Sequence, residues 1–201
     1  MMKTTLTIVA LALATSVSAQ ENPLWMRYCA ISPDGSAVAF TYKGDIYTVP
    51  TTGGNARQLT TNPAYDSHPV WSPDSKQLAF CSNREGSMDV YVMQREGGTP
   101  RRLTTNSNSE TPIAFKDNNT VLYTSSIIPS AKSIIFANRM LPQVYEVGIN
   151  GSRPHLFSAL PMMDISIRPN GDLLYHDQKG YEDPWRKHHR SPITRDIWLR
   201  R

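Results

Sequence analysis

The chain has 201 residues, a formal net charge of +4, 39% hydrophobic and 19% charged residues, 15 prolines and two cysteines. That length allows one or two domains with a sizeable core. The mild charge is scattered and lacks the basic stripe interleaved with aromatics that nucleic-acid binding uses, and two cysteines cannot form a disulfide framework.

Lys3 is a short basic start, Leu6 to Ala14 is a compact apolar run, and Val17-Ser18-Ala19 supplies small residues before a cut. This pattern predicts a cleavable signal peptide over residues 1–19, with the mature chain over 20–201 exported to the periplasm or secreted. The alternative is an uncleaved anchor. The run is short for that, and no later segment approaches the roughly 20 apolar residues of a spanning helix. Export makes a disulfide chemically feasible, but Cys29 and Cys81 occupy different places in the repeats and are expected to stay unpaired.

Internal repetition dominates the rest. From Ile31 the chain reads Ile-Ser-Pro-Asp-Gly-Ser-Ala-Val-Ala-Phe, then Asp45-Ile46-Tyr47, Gly53-Gly54 and Arg57-Gln58-Leu59-Thr60. From Trp71 the order returns: Ser72-Pro73-Asp74, Leu78-Ala79-Phe80, Asp89-Val90-Tyr91, Gly97-Gly98 and Arg101-Arg102-Leu103-Thr104, with Ser72 offset from Ser32 by 40 residues. A third, degraded copy runs from Phe115 to Phe157. A fourth starts at Ile167 and ends near Asp196-Ile197-Trp198.

Ser-Pro-Asp-Gly is a turn, because Pro sets φ, Asp caps it and Gly tolerates φ above zero. The short apolar and β-branched runs read as strands, and the Gly pairs suit hairpins. Three or four short strands in a unit of about 40 residues describe a β-propeller blade. A β-sandwich shares the short strands but not the sequence period. The expectation is an all-β, partial (open) propeller of about four blades with the last incomplete. Closed propellers use about four to eight blades, each burying its faces on its neighbours.

On the Ser-Pro-Asp turns and the Asp-Ile-Tyr and Arg-x-Leu-Thr elements, the sequence resembles the WD40-like repeats of TolB and tricorn-type proteins. With Leu24 to Tyr28, Lys43 to Tyr47 and the stretch from His176 to Trp198, it is more similar to the N-terminal propeller of exported tricorn-like serine peptidases of the C-terminal processing peptidase family. The resemblance spans about Leu24 to Leu199. It implies a non-catalytic propeller that guides or filters peptide, or supports assembly, ahead of a PDZ-type domain and a serine peptidase domain. The alternative is a TolB-like module that binds a periplasmic protein. TolB-like proteins carry an α/β domain before the propeller, whereas here the blades start directly after the leader. Ser75, where the turn favours Gly, and Lys116 to Asn119 depart from the pattern.

A hydrolase needs a nucleophile, a base and an oxyanion pocket together, and no Gly-x-Ser-x-Gly elbow occurs. Ser32 and Ser72 read as turn formers. His68, two residues after Asp66, invites a triad reading, but at a handover between blades it reads better as a loop tie. His188 and His189 lack metal-ligand spacing. No catalytic residue, cofactor or metal ligand is therefore assigned, and the chain by itself is expected to be inactive. Tyr181, Trp185, Arg186, His188, His189 and Arg190 lie in a long loop of the fourth blade and are the candidate contacts for a peptide substrate, a protein or other domains. Self-association through an uncovered blade face is also expected.

Overall fold

The computed structural model describes residues 25–126, 142–160, 162–168, 170–177 and 197–200. The leader expected over residues 1–19 and the boundary at 20 lie outside them. Among the described residues fifteen strands and no helix occur, so no helix is long and apolar enough to cross a membrane.

The strands form four antiparallel meanders, as the repeat predicts. Blade 1 holds β1 (Arg27–Ile31), β2 (Ala37–Tyr42), β3 (Asp45–Pro50) and β4 (Arg57–Gln58). Blade 2 holds β5 (Asp66–Trp71), β6 (Gln77–Glu85), β7 (Ser87–Gln94) and β8 (Gly97–Arg102). Blade 3 holds β9 (Glu110–Asp117), β10 (Thr120–Ser125), β11 (Gln143–Gly148) and β12 (His155–Ser158). Blade 4 holds β13 (Met162–Ile167), β14 (Leu173–Asp177) and β15 (Ile197–Arg200). β5 lies between β1 and β9, and β9 lies against β13, so the first strands stand side by side as the inner wall.

The core is three seams between blades. Ala37, Ala39 and Ile46 of blade 1 meet Trp71, Leu78 and Phe80 of blade 2. Ala79, Val90 and Val92 meet Phe115, Val121 and Tyr123 of blade 3, while Leu122 and Val144 meet Met162 and Leu173 of blade 4. Successive residues of β6 therefore serve opposite seams, which is why Leu78-Ala79-Phe80 is apolar without a gap. Away from its seam, blade 4 exposes Leu174, Ile197 and Leu199. The far face of blade 1 carries Phe40 stacked on Tyr47, with Tyr42 edge-on.

Two turn expectations need correction. Gly97-Gly98 is not the hairpin turn: Gln94 pairs with Gly97 across Arg95-Glu96, and both glycines, at φ of +84° and +105°, open β8. In blade 1 the turn centres on Thr51-Thr52, closed by Gly53 N–H donating to Pro50 O at 2.9 Å. The glycines follow the turns because the strand leaves them in the left-handed region, which glycine enters without steric cost. Ser75 does not disturb its turn. It adopts φ of +59° and its N–H donates to Ser72 O at 2.9 Å.

Candidate functional site: the channel between the inner strands

The four inner strands border an open-sided cavity of about 940 Å³. Ile31 of β1, Val70 and Trp71 of β5, Ile113 and Phe115 of β9, and Ile165 and Ile167 of β13 make its apolar wall. Lys116 near the end of β9, with Pro33, Pro73, Asn118 and Arg168 from the turns that leave the strands, makes its mouth. The inner strands can line a channel because their side chains alternate between it and the seams.

Hydrogen bonds between successive turns hold the mouth. In blade 1, Asp34 Oδ1 accepts from Ser32 Oγ at 2.5 Å and from Ser36 N–H at 2.9 Å. These bonds, with the Arg95 guanidinium, hold the Asp34 carboxyl well below the usual carboxylate range. Asp34 N–H then donates to Ser75 Oγ of blade 2 at 3.0 Å, and Asp74 N–H donates to Asn118 Oδ1 of blade 3 at 3.0 Å. The two departures from the repeat, Ser75 and Asn118, are thus the acceptors that tie one turn to the next. Trp71 adds a third link, its Nε1–H donating to Ala30 O at 3.0 Å while Arg95 lies over its ring and reaches Asp34 at 2.7 Å. The cations at the mouth are partnered: Lys116 by Glu146 at 2.7 Å and Arg168 by Asp172 at 3.9 Å.

The inner strands share a second feature that period-2 reading missed. Each has a bulge near its start, and the bulged residues Tyr28, His68 and Asp164 take positive φ of 53°, 55° and 49°. In β9 the break falls at Pro112 and Ile113. A left-handed conformation is costly for such residues and persists only where the surroundings enforce it. The Tyr28 and His68 rings meet at a centroid distance of 3.6 Å, and Asp164 holds His176 Nε2 at 2.5 Å.

The triad reading of His68 does not survive this geometry. The Asp66 carboxylate is held by Arg84 Nη2 at 2.8 Å, and His68 Nδ1 faces Ser67 Oγ at 3.1 Å and Cys81 Sγ at 3.6 Å. Burial holds the imidazole below its ordinary range and pushes the Cys81 thiol up to about 11. A thiol kept protonated is a poor nucleophile, so the group ties a strand bulge and is not set up for catalysis. Cys81 was the member of this cluster that the sequence reading left out. Both cysteines are free, as expected, Cys81 buried and Cys29 exposed. Ser32 and Ser72 serve their turns, each bonding the following Asp and accepting a backbone N–H five residues on. No group of three metal-ligating side chains occurs among the described residues. The loop candidates Tyr181, Trp185, Arg186, His188, His189 and Arg190 lie outside the described residues.

Residues 23–201 match the family model described as the tricorn protease N-terminal β-propeller domain. Tricorn protease homolog 1 of Streptomyces coelicolor is 28% identical over 180 residues, covering 89% of this chain and 16% of the homolog. Among solved structures, a putative TolB from Agrobacterium tumefaciens is 27% identical with a TM-score of 0.59, covering 78% of this chain and 57% of that one. The crystal structure of the tricorn protease shares the fold at 13% identity and a TM-score of 0.55, over 78% of this chain and 19% of that one. The chain thus spans about a sixth of the curated tricorn relative.

Proposed function

This chain belongs to the tricorn protease N-terminal β-propeller family, and from that premise we propose that it is the non-catalytic propeller portion of an exported tricorn-like serine peptidase. Its role is to receive peptide in the channel between the inner strands and steer it toward catalytic residues carried elsewhere in a longer protein. The observation that supports this best is the cavity of about 940 Å³, with apolar walls and a polar mouth. Its volume lies at the upper end of the roughly 300–1,000 Å³ of ligand sites. The cations at the mouth each have an acidic neighbour, so recognition there rests mainly on apolar contact and backbone hydrogen bonding, which suits many peptide sequences. Export rests on the leader pattern of residues 1–19.

The test is titration of the purified chain with fluorescein-labelled, unstructured apolar peptides, read by anisotropy. Saturable binding is expected, and Ser166→Trp, placed on the exposed cavity wall, is expected to abolish it. Absence of saturable binding, or binding indifferent to that tryptophan, refutes the channel role. Hydrolysis of the same peptides that co-purifies with the chain refutes the non-catalytic assignment.

A second reading, a TolB-like module that binds a folded protein, is favoured by the 27% identity to the putative TolB. The two readings part on the DNA beyond the Arg201 codon. A continuous frame encoding further blades and a PDZ-type and serine peptidase region supports the first. A stop codon followed by unrelated sequence removes it.

A further inference from the structure

The three seams carry the same positions but not the same charges. At the end of the seam between blades 1 and 2 remote from the Ser-Pro-Asp turns, Asp45 accepts from Thr60 Oγ1 and Gln58 Nε2, each at 3.0 Å. Buried Asp66, the first residue of β5, accepts from Arg84 Nη2 at 3.0 and 2.8 Å. In the next seam Asp89 takes the place of Asp45, Thr104 that of Thr60, and Glu110, first in β9, that of Asp66. Arg102 stands where Gln58 stood, opposite Tyr91 as Gln58 is opposite Tyr47, and bonds Asp89 Oδ2 at 2.8 Å. Asp66 pairs with Ser82 as Glu110 pairs with Ser125, and two residues further along the sequence stand Arg84 in the one case and Ile127 in the other. Among the described residues, these two seams therefore each have two carboxyl groups and one arginine, and in the second the arginine has moved to the partner of Glu110. Glu110 is 1% exposed and its Oε2 has no hydrogen-bond partner.

We propose that Glu110 carries a proton in the folded protein and that its ionisation loosens the seam between blades 2 and 3, making that seam a pH-sensitive joint. An ionised carboxylate at this place would be buried, beside the Asp89 anion and, among the described residues, without a cation of its own, which is the costly arrangement for a buried charge. Burial foremost, with the Asp89 charge adding, raises Glu110 to about 7. Around it, β7 brings Asp89 and Tyr91, β8 Arg102, and β10 Tyr123, whose buried hydroxyl lies close to the Glu110 carboxyl. The other strands packed on β9 bring Asp66 and His68 from β5, Arg84 and Glu85 from β6, and Asp164 from β13. Arg84 is committed to Asp66 and so does not neutralise Glu110, and Asp164 is an acid paired with His176. β9 also carries Ile113 and Phe115 of the channel wall, so loosening this seam moves a wall of the candidate site.

A neutral group in the fold that ionises at lower pH when unfolded makes the folded protein bind more protons, so stability falls as pH rises from the ordinary glutamate range to about 7 and is level above it. Urea unfolding of the whole chain at pH 5.5 and 8.5, beside Glu110→Gln, isolates this contribution from all other titrating groups. Relative to the glutamine variant, the wild-type unfolding constant is expected to rise about thirty-fold between the two pH values. Parallel behaviour of the two proteins overturns the proposal. Carbon-13 NMR titration of the Glu110 carboxyl in the unaltered chain gives an independent answer, where titration near 7 supports the proposal and titration below 5 overturns it.

Discussion

Replacing Arg84 by methionine tests whether the buried charge pair that blade 2 places at its seam with blade 1 is structural. Asp66 is fully buried and the Arg84 side chain is 14% exposed, so solvent screens their contact little. Arg84 also donates through Nε to Ser82 Oγ at 2.9 Å and lies 4.7 Å above the Tyr91 ring. Methionine keeps much of the apolar stem over that ring but leaves the Asp66 carboxylate without its cation. Breaking a buried pair from one side costs about 3–5 kcal/mol, and the lost cation–π contact adds roughly 0.5–1 kcal/mol. A domain of ordinary stability has only about 5–15 kcal/mol in total, so the urea midpoint should fall by about a quarter or more. Tryptophan fluorescence reports it, since Trp71 is buried in this seam. The double variant Arg84→Met with Asp66→Asn removes the stranded charge and should recover a substantial part of the loss. A loss below about 1 kcal/mol, as for an exposed pair, or a double variant no more stable than the single one, would refute the reasoning.

Leu78→Ala, at a fully buried site in the same seam, should cost about 2–5 kcal/mol by urea titration, because a stacked blade cannot collapse into the gap. Native labelling with iodoacetamide at pH 8 should modify Cys29 alone, with Cys81 reacting only after denaturation; mass spectrometry counts the adducts. His68 titrates with the opposite sense to Glu110. Burial keeps its folded form neutral, so the stability it permits is present above the ordinary histidine range and is lost as pH falls below it. His68→Asn, which tolerates the left-handed backbone, should therefore show a smaller loss of stability than wild type between pH 7 and pH 5 in the same unfolding assay.

The blades were legible in the sequence because each landmark has a local cause. Ser-Pro-Asp-Gly makes its turn from its own side chains, and the run Leu78-Ala79-Phe80 announces a strand buried on both faces. What stayed hidden depended on residues about 40 positions apart. Ser75 reads as a defect in a turn until its hydroxyl is seen to receive Asp34 N–H from the preceding blade. The inner-strand bulges break the period-2 pattern at Tyr28, His68 and Asp164, so strand reading passed over the left-handed residues that shape the channel end. The proximity of Asp66 to His68 in sequence suggested a chemical pair. A bulge between them and an arginine from β6 assigned the two side chains to different partners.

The co-occurrence of Asp-x-Tyr with Arg-x-Leu-Thr, which the sequence offers only as a repeated order, has one physical origin. Thr60 Oγ1 donates to Asp45 while accepting Ile46 N–H, and Leu59 N–H donates to Ile46 O, so the third strand and the segment after the fourth form one unit. Thr104 Oγ1 receives Val90 N–H and Leu103 N–H bonds Val90 O in the same way in blade 2. In blade 3 the positions hold Gln143 and Ser158, and the first residue of the next inner strand is buried Met162 in place of Asp66 or Glu110. The third copy looks degraded because this polar unit has been replaced. Across successive seams the buried acid is first paired by its own arginine, then left to hold a proton, then exchanged for a thioether. Of these three arrangements only the middle one holds a carboxyl raised to about 7, so the pH sensitivity of these seams is assigned to Glu110, while His68 responds in the opposite sense at lower pH.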